Sequence, residues 1–425
     1  MKKNHSALTG AVQRLYMTWN TFQANDLGTY ASAGAYSFLL SALPILLIVL
    51  LILLRILHTA PEVLQDLIGS NQLFSASLDF SYFLNSVMSI KSVGIFEIII
   101  AISVFSMSRR FFTSMQQGMK AIYRKRGKRK PLKENLVKIA GEVLMIVLIV
   151  IAAIFIIAGN AFFGSDLSTK IFSPFFFNLM KRLFQIAPFF IIFVFLFLVY
   201  FFTPPTRPGA LHSMMAASAC VFSLGIVQIL FASFINLSRY NLVYGILSNI
   251  IVLLLQVYLF FFLFLFFAQF LYVVQFFDSF LLARIYLLPA YDDPLPMKQL
   301  ERIMFIEPPF FYSRYAYRKK MGDIIFRMGD DSTELYYVWQ GVITLNLPNQ
   351  VIEIGRGRVF GEFSSIAGGK RTATAIASTD AILLKMPDYL FQETVEIDGE
   401  MSRRTLQMIA NYVRKKTAES LFPDL

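Results

Sequence analysis

The sequence predicts a polytopic α-helical membrane domain of six transmembrane helices, followed by a soluble β-roll with flanking helices. Three observations lead there. The 425 residues are 56% hydrophobic and only 16% charged, with 45 Phe and a mean hydropathy of +0.59, whereas soluble domains carry about 25% charged residues. Six runs have the roughly 20 apolar residues that a helix needs to cross hydrocarbon. Beyond residue 285 the composition changes to short β-branched and aromatic runs broken by Gly, the pattern of strands and turns.

Residues 1–30 come first. Leu8, Val12, Leu15, Trp19 and Phe22 recur at steps of three and four, which predicts an amphipathic helix, either in the membrane interface or packed against the bundle. The first long apolar run exceeds a signal-peptide core, so no cleaved leader is expected. The membrane domain occupies 31–285, with spans at 31–56 (kinked at Pro44), 92–112, 137–160, 183–203, 209–235 and 246–277. No charged residue occurs across 240–277.

Charge orients the spans. Residues 1–285 hold 22 Lys/Arg and 9 Asp/Glu, and the remainder 17 and 18, accounting for the 39 and 27 of the chain and its net +12. Eleven of the basic residues lie in 109–138, six of them within 124–130, the signature of a cytoplasmic loop. The connection 58–89 has Glu62, Asp66 and Asp79 but no Lys or Arg. With an even span count, both termini are expected in the cytoplasm. The tail nets −1 and has no basic footprint, so no nucleic-acid partner is expected. One cysteine, Cys220, and three scattered histidines, His5, His58 and His212, build neither a disulfide framework nor a zinc site.

A Pro-containing linker covers 286–297, and the second domain 298–425. Its segments GDIIFRMGD, TELYYVWQGVITLNL and QVIEIGRGRVFGE read as β-strands, and 401–416 returns to helical period with Leu406, Ile409 and Val413 on one face. The most specific stretch is VFGEFSSIAGGKRTATAIA, 359–377. A Gly and an acid opening a short helix leave backbone N–H groups for an anion. Glu362 can accept from a ligand hydroxyl, and Arg371, nine residues on, can fork a phosphate. That set suits a nucleotide.

This stretch, with GDIIFRMGD and YYVWQG before it, resembles the cyclic nucleotide-binding domain of cyclic-nucleotide-dependent kinases, channels and transcription regulators, over roughly 300–420. The resemblance implies that Glu362 binds the ribose 2′-hydroxyl, that Arg371 binds the cyclic phosphate, and that amides near Gly361 and Phe363 complete the cradle. Thr372, followed by Ala373, sits where a guanine amino group or the phosphate is contacted, so cAMP and cGMP are both implied as ligand, with no cofactor. A β-roll that kept its fold and lost its ligand is the alternative. ASAGAYSFLLSALPILL, SVFSMSRRFFTSMQQGMKAIY and LVYGILSNIIVLLLQVYLFFFLFLFFAQFLYV look like the YihY/BrkB family of bacterial inner-membrane proteins, over about 10–280. That implies an inner-membrane location and, in the usual suggestion, transport of lipid or an envelope precursor. The family's old label, ribonuclease BN, has no clustered metal ligands here to support it. The last span ends on Ala268–Gln269, where members often have Gly-Ala-Glu.

Polar residues within spans are costly and mark cavities or partners. The candidates are Glu97, Glu142, Gln256 and Gln269, with Ser37 and Ser41 beside Pro44. Each has a plainer role: Glu142, near a span end, can snorkel, and the Gln residues can bridge helices. Three functions compete: a nucleotide sensor regulating a transporter-like module, with membrane lipids as partners and a homo-oligomer left open; a cyclic-nucleotide-gated channel; and a membrane-anchored scaffold. The channel reading lacks an Arg series, and the VYG at 243–245 is not a five-residue filter. Without a nucleophile, base and metal constellation, no enzyme is expected.

Overall fold

The computed structural model describes residues 2–52, 95–123, 131–163, 174–234, 246–287, 305, 312, 314–348, 350–367 and 369–421. The expected external loop 58–89 and the basic run 124–130 lie outside them. The chain divides into two compact units, Trp19–Tyr272 in one, and Met1–Thr18 with Val273–Leu425 in the other.

In chain order the first helices are α1 (Lys2–Ala24), α2 (Leu27–Leu51), α3 (Ile95–Ile122), α4 (Pro131–Phe163), α5 (Pro174–Phe202), α6 (Ala210–Phe234) and α7 (Ile246–Gln275). Their ends follow local chemistry. Asp26 takes a left-handed conformation, φ 51°, between α1 and α2, which a short polar side chain tolerates. Pro131 and Pro174 open α4 and α5 at the position where a missing N–H costs nothing, and α5 stops before the Pro-rich 203–209. Pro44, where the sequence suggests a kink, lies inside α2, which continues through it. Just before it, buried Ser41 donates back to the Ser37 carbonyl at 2.7 Å, so this pair is satisfied within its own helix.

Among the described residues, three helices are long and apolar enough to cross a membrane: Asn135–Ile157, Ala210–Phe231 and Ile251–Gln275. A shorter apolar stretch, Ile186–Phe202, lies in α5. The spans expected at 31–56 and 92–112 coincide with α2 and α3 where these are described. Within this unit α2 packs on α3, α3 on α4, and α5 on both α4 and α6. Close approach rests on small residues. A Cβ on Gly34 would come 2.3 Å from the Phe261 ring, and one on Gly118 2.4 Å from Leu265, so α7 meets α2 and α3 where only hydrogen fits.

The amphipathic N-terminal helix is α1. It buries Gln13, Met17, Thr18 and Phe22, whose ring meets Phe262 at 4.9 Å, and leaves Val12, Leu15 and Trp19 exposed. Its expected apolar face is therefore split between the protein and the surroundings.

After one residue beyond α7 comes α8 (Phe277–Leu287), where the sequence had suggested the end of a span and the start of a linker. Most of it is buried. The strands follow: β1 (Ala316–Lys319), β2 (Ile324–Phe326), β3 (Leu335–Gln340), β4 (Ile343–Asn346), β5 (Val351–Ile354), β6 (Val359–Phe360), then α9 (Glu362–Ala367), β7 (Thr374–Ala377), β8 (Ala381–Met386), α10 (Asp388–Ile397) and α11 (Gly399–Leu421). They form two four-stranded antiparallel sheets, ordered β1-β8-β3-β6 and β2-β7-β4-β5. The core joins residues of both: Phe326, Tyr336, Val338, Ile343, Phe360, Ala375 and Leu383 among them. Among the described residues of α11, Met401 and Thr405 are buried, Ile409 is half-buried and Leu406 is 64% exposed, while the side chain of Val413 lies outside them. The face expected from periodicity is thus partly rotated: the helix packs through the i, i+4 row of Met401, Thr405 and Ile409, which keeps Ile409 and leaves Leu406 out.

Candidate nucleotide site

Strand β6 ends at Phe360, Gly361 turns, and Glu362 opens α9. Gly361 has φ +84°, and a Cβ there would lie 2.7 Å from Arg371 Nη1, so glycine is required both by the left-handed backbone and by the approach of the arginine. Arg371 precedes β7 and is itself pinned by its main chain: its N–H donates to the Asp330 carbonyl at 2.9 Å and its carbonyl accepts from Gly329 N at 2.8 Å.

The Arg371 side chain points into the domain and is 3% exposed. Its Nε donates to Ser332 Oγ at 2.8 Å, Nη1 to the Gly361 carbonyl and to Ser364 Oγ, both at 2.8 Å, and Nη2 to the Glu334 carbonyl at 2.7 Å. The Glu334 carboxylate is 3.8 Å from Nη2 and also binds Lys385 at 2.8 Å. The guanidinium lies over the Phe326 ring, 4.1 Å from its centroid. A guanidinium has five N–H donors, and four are taken by the protein while the fifth faces a carboxylate. The sequence expectation of an arginine free to fork a phosphate is thus met by an arginine already forked onto its own chain.

The electrostatics follow from this cage. Burial draws the Arg371 pKa down, opposed by Tyr336, Glu334, Asp330 and Glu362. Burial pushes the Glu334 carboxyl up, but the Lys385 hydrogen bond, its own backbone hydrogen bond and the charges of Lys385 and Arg371 outweigh it, leaving a net lowering. Glu362 goes the other way: burial raises its pKa, against weaker lowering by its own backbone hydrogen bond and by Arg371.

Gly361, Glu362 and Arg371 are thus brought together. Phe363 is half-buried on α9, Ala373 is buried, and Thr372 is exposed, so a contact to a base or phosphate from its side chain stays open. Ser332, Glu334, Ser364, Phe326 and Tyr336 were not foreseen from the motif. Only the acid and serine in DSTE, just before the aromatic run of β3, carried a sequence signal for them.

The polar candidates of the helical unit separate into distinct roles. Glu97 lies in α3, its side chain outside the described residues. Glu142 does not snorkel: it is fully buried, 3.7 Å from Arg109 Nε of α3. Gln269 is also fully buried. It donates to Thr21 Oγ1 at 2.9 Å and accepts from Asn25 at 3.4 Å, joining α7 to α1 and the turn after it. An amide can do both, whereas a carboxylate could only accept. Gln256 faces a cavity of about 120 Å³ between α5, α6 and α7. No group of three or more His, Cys, Asp or Glu gathers as metal ligands among the described residues.

Comparison with known proteins assigns both halves. Residues 18–277 match the family model described as virulence factor BrkB, and residues 318–398 match the cyclic nucleotide-binding domain. A cyclic nucleotide-gated potassium channel of Rhizobium etli is 29% identical over 98 residues, 23% of this chain and 25% of the channel. One of Mesorhizobium japonicum is 37% identical over 71 residues, 17% of this chain and 20% of the channel. The chain therefore spans a quarter or less of the length of these curated relatives. A solved structure reported with a cyclic-GMP-dependent signalling pathway that regulates bacterial phytopathogenesis is 26% identical, covering 26% of this chain and 92% of its own, with a TM-score of 0.23.

Proposed function

Because the chain belongs to the virulence factor BrkB family and carries a cyclic nucleotide-binding domain at its C-terminal end, we propose that it is a cyclic-nucleotide sensor regulating a transporter-like membrane module. In this reading the module spans a bacterial inner membrane six times, with both termini in the cytoplasm, and the domain takes cAMP or cGMP. It is not an enzyme. Lipids or envelope precursors are the class of cargo, and no nucleic acid is bound.

The observation that carries the reading is α8. It follows the last span after a single residue and packs on α10 and α11, the helices that close the nucleotide domain. Ser279 Oγ donates to the Glu393 carboxylate, the Thr394 hydroxyl, which donates to the Leu390 carbonyl of its own helix at 2.6 Å, lies 3.3 Å from the Ser279 carbonyl, and the Tyr286 and Phe391 rings meet edge-on at 6.2 Å. Tyr286 also lies close enough to Glu362 for that carboxylate to raise its pKa, after the larger effect of burial. A ligand hydroxyl that engages Glu362 therefore changes the field at α8. The cyclic phosphate takes Arg371 from the Gly361 carbonyl and Ser364, which frees α9 to shift against α10. Regulation requires only that nucleotide bind the two arrangements with different affinity.

The test is titration of the full chain in lipid nanodiscs with cAMP and with cGMP, followed by hydrogen exchange of the α8 amides. Bound nucleotide is expected to change exchange across Phe277–Leu287. Binding that leaves α8 unchanged would refute the coupling, and absence of binding would refute the sensor. A second reading has its own observation in favour: the self-contained Arg371 cage also suits a domain that no longer binds ligand and serves as part of a membrane scaffold. The channel reading gains no such support, since the gated channels match less than a quarter of this chain.

A further inference from the structure

We propose that Glu334 is an internal competitor for Arg371: its carboxylate holds the guanidinium edge that a ligand phosphate needs, and so sets the nucleotide concentration at which the domain responds. The proposal rests on the nucleotide reading of this site and deepens it. A phosphate forks a guanidinium through two parallel N–H groups. On the Nη1–Nη2 edge of Arg371, both Nη1 donors are on neutral partners, the Gly361 carbonyl and Ser364 Oγ, and one Nη2 donor is on the Glu334 carbonyl. A ligand can exchange with neutral acceptors like these at little net cost. The second Nη2 donor faces the Glu334 carboxylate, 3.8 Å away, and that partner carries the same sign of charge as the ligand. Glu334, Asp330 and Glu362 all bear on Arg371. The Asp330 carboxylate is engaged in its own turn, on the Arg327 N–H at 2.7 Å, and Glu362 is the candidate acid for the ribose. Among these three, Glu334 is the one within ion-pair distance of the guanidinium.

The sheet fixes the competitor in place. Glu334 immediately precedes β3, which pairs with β8 in the register Leu335–Met386 and Tyr336–Lys385. Lys385 is the exposed position of β8, and its Nζ reaches Glu334 at 2.8 Å. One carboxylate oxygen, Oε1, is thus on Lys385, and the other, Oε2, is on the Arg371 side. Burial works against the charged form of Glu334, yet the Lys385 hydrogen bond, its own backbone hydrogen bond and the charges of Lys385 and Arg371 hold its pKa below the ordinary carboxylate value. The competitor is therefore ionised at neutral pH. Lys385 draws the carboxylate away from Arg371 and so limits the competition. A phosphate oxygen bonded to Nη2 would stand within about 5 Å of that carboxylate. With the Glu334 side chain 30% exposed and hence screened, repulsion at this distance weakens binding about ten-fold. The phosphate is common to cAMP and cGMP, so both are affected alike.

In the experiment the full chain in lipid nanodiscs is titrated with cAMP and with cGMP, and is melted with and without inorganic phosphate at constant ionic strength. Glu334→Gln keeps the shape of the side chain and an oxygen for Lys385. It is expected to bind both nucleotides about ten-fold tighter, while melting lower than the parent in the absence of ligand. Tighter binding by a less stable chain is a result that damage to the fold does not produce. Lys385→Ala should weaken binding about three-fold in the parent and have no effect in the Glu334→Gln chain, where no competing charge is left for it to restrain. Equal affinity of the parent and Glu334→Gln overturns the competition and leaves the nucleotide reading standing. If neither chain binds nucleotide, that reading fails, and the phosphate melts decide the competition: stabilisation by phosphate that is larger in Glu334→Gln than in the parent upholds it, and equal stabilisation overturns it.

Discussion

Removal of the Arg371 side chain is a stronger perturbation than loss of a ligand contact, because the guanidinium also ties four segments of the nucleotide domain together. In Arg371→Ala, the Gly361 and Glu334 carbonyls lose a charged donor. Each unsatisfied buried carbonyl costs about 1–3 kcal/mol. The two serine hydroxyls can rotate to other acceptors, and water reaches the half-exposed side of Glu334, so the expected loss is about 2–4 kcal/mol. The chain has two Trp residues, Trp19 and Trp339, and Trp339 lies in β3 with Tyr312 at 5.3 Å. In a Trp19→Phe background its fluorescence reports the sheets alone. Urea unfolding of the full chain in detergent should then show a midpoint lower by about 2 M, taking a slope of about 1–2 kcal/mol/M. Arg371→Lys retains the charge but presents a point donor instead of a fork, and should fall between the two. An unmoved midpoint in Arg371→Ala would refute the structural role of the cage.

Three further outcomes are expected. Glu362 has its pKa raised by burial, so its contribution to stability is present below the ordinary carboxylate range and lost as pH rises through the raised value. Glu362→Gln should therefore unfold at higher temperature than the parent at neutral pH, with the difference vanishing in acid, while nucleotide binding weakens; calorimetry across pH reads both. Gln269→Glu removes the donor to Thr21 and should lower the melting temperature of the detergent-solubilised chain by the equivalent of about 1–3 kcal/mol. Gly34→Val pushes a methyl group into the Phe261 ring and should cost about 1–3 kcal/mol by the same melt, whereas Gly28→Val, with open space around its Cβ position, should cost less.

What could be read from the sequence was what depends on short-range pattern. The apolar runs announced the helices, and the Gly-Glu pair with an arginine nine residues on marked Gly361, Glu362 and Arg371 as members of one site, which the fold brings together. The orientation of the arginine was not legible. It is set by Ser332 and Glu334, almost 40 residues earlier, through sheet registers that no local spacing encodes. The rotated face of α11 has the same origin: periodicity gives the row of apolar residues, and tertiary contact chooses which row is buried. Helix α8 was hidden because FDSFLLARIYL continues the apolar composition of α7, so no shift in hydropathy marked the break after Gln275.

The position of α8 bears on how such a protein can be assembled from parts. By composition this helix belongs with the apolar half of the chain, yet Phe280, Leu281 and Leu282 are buried in the unit that contains the nucleotide domain. A domain transplanted from the 286–297 boundary onward would leave α10 stripped of its cover, with Phe391 and Thr394 open to solvent. Gene fusions that exchange sensors on this kind of bundle must therefore be joined upstream of Phe277. The recombination joint lies at the helix break, not in the proline-rich stretch that looks like a natural seam.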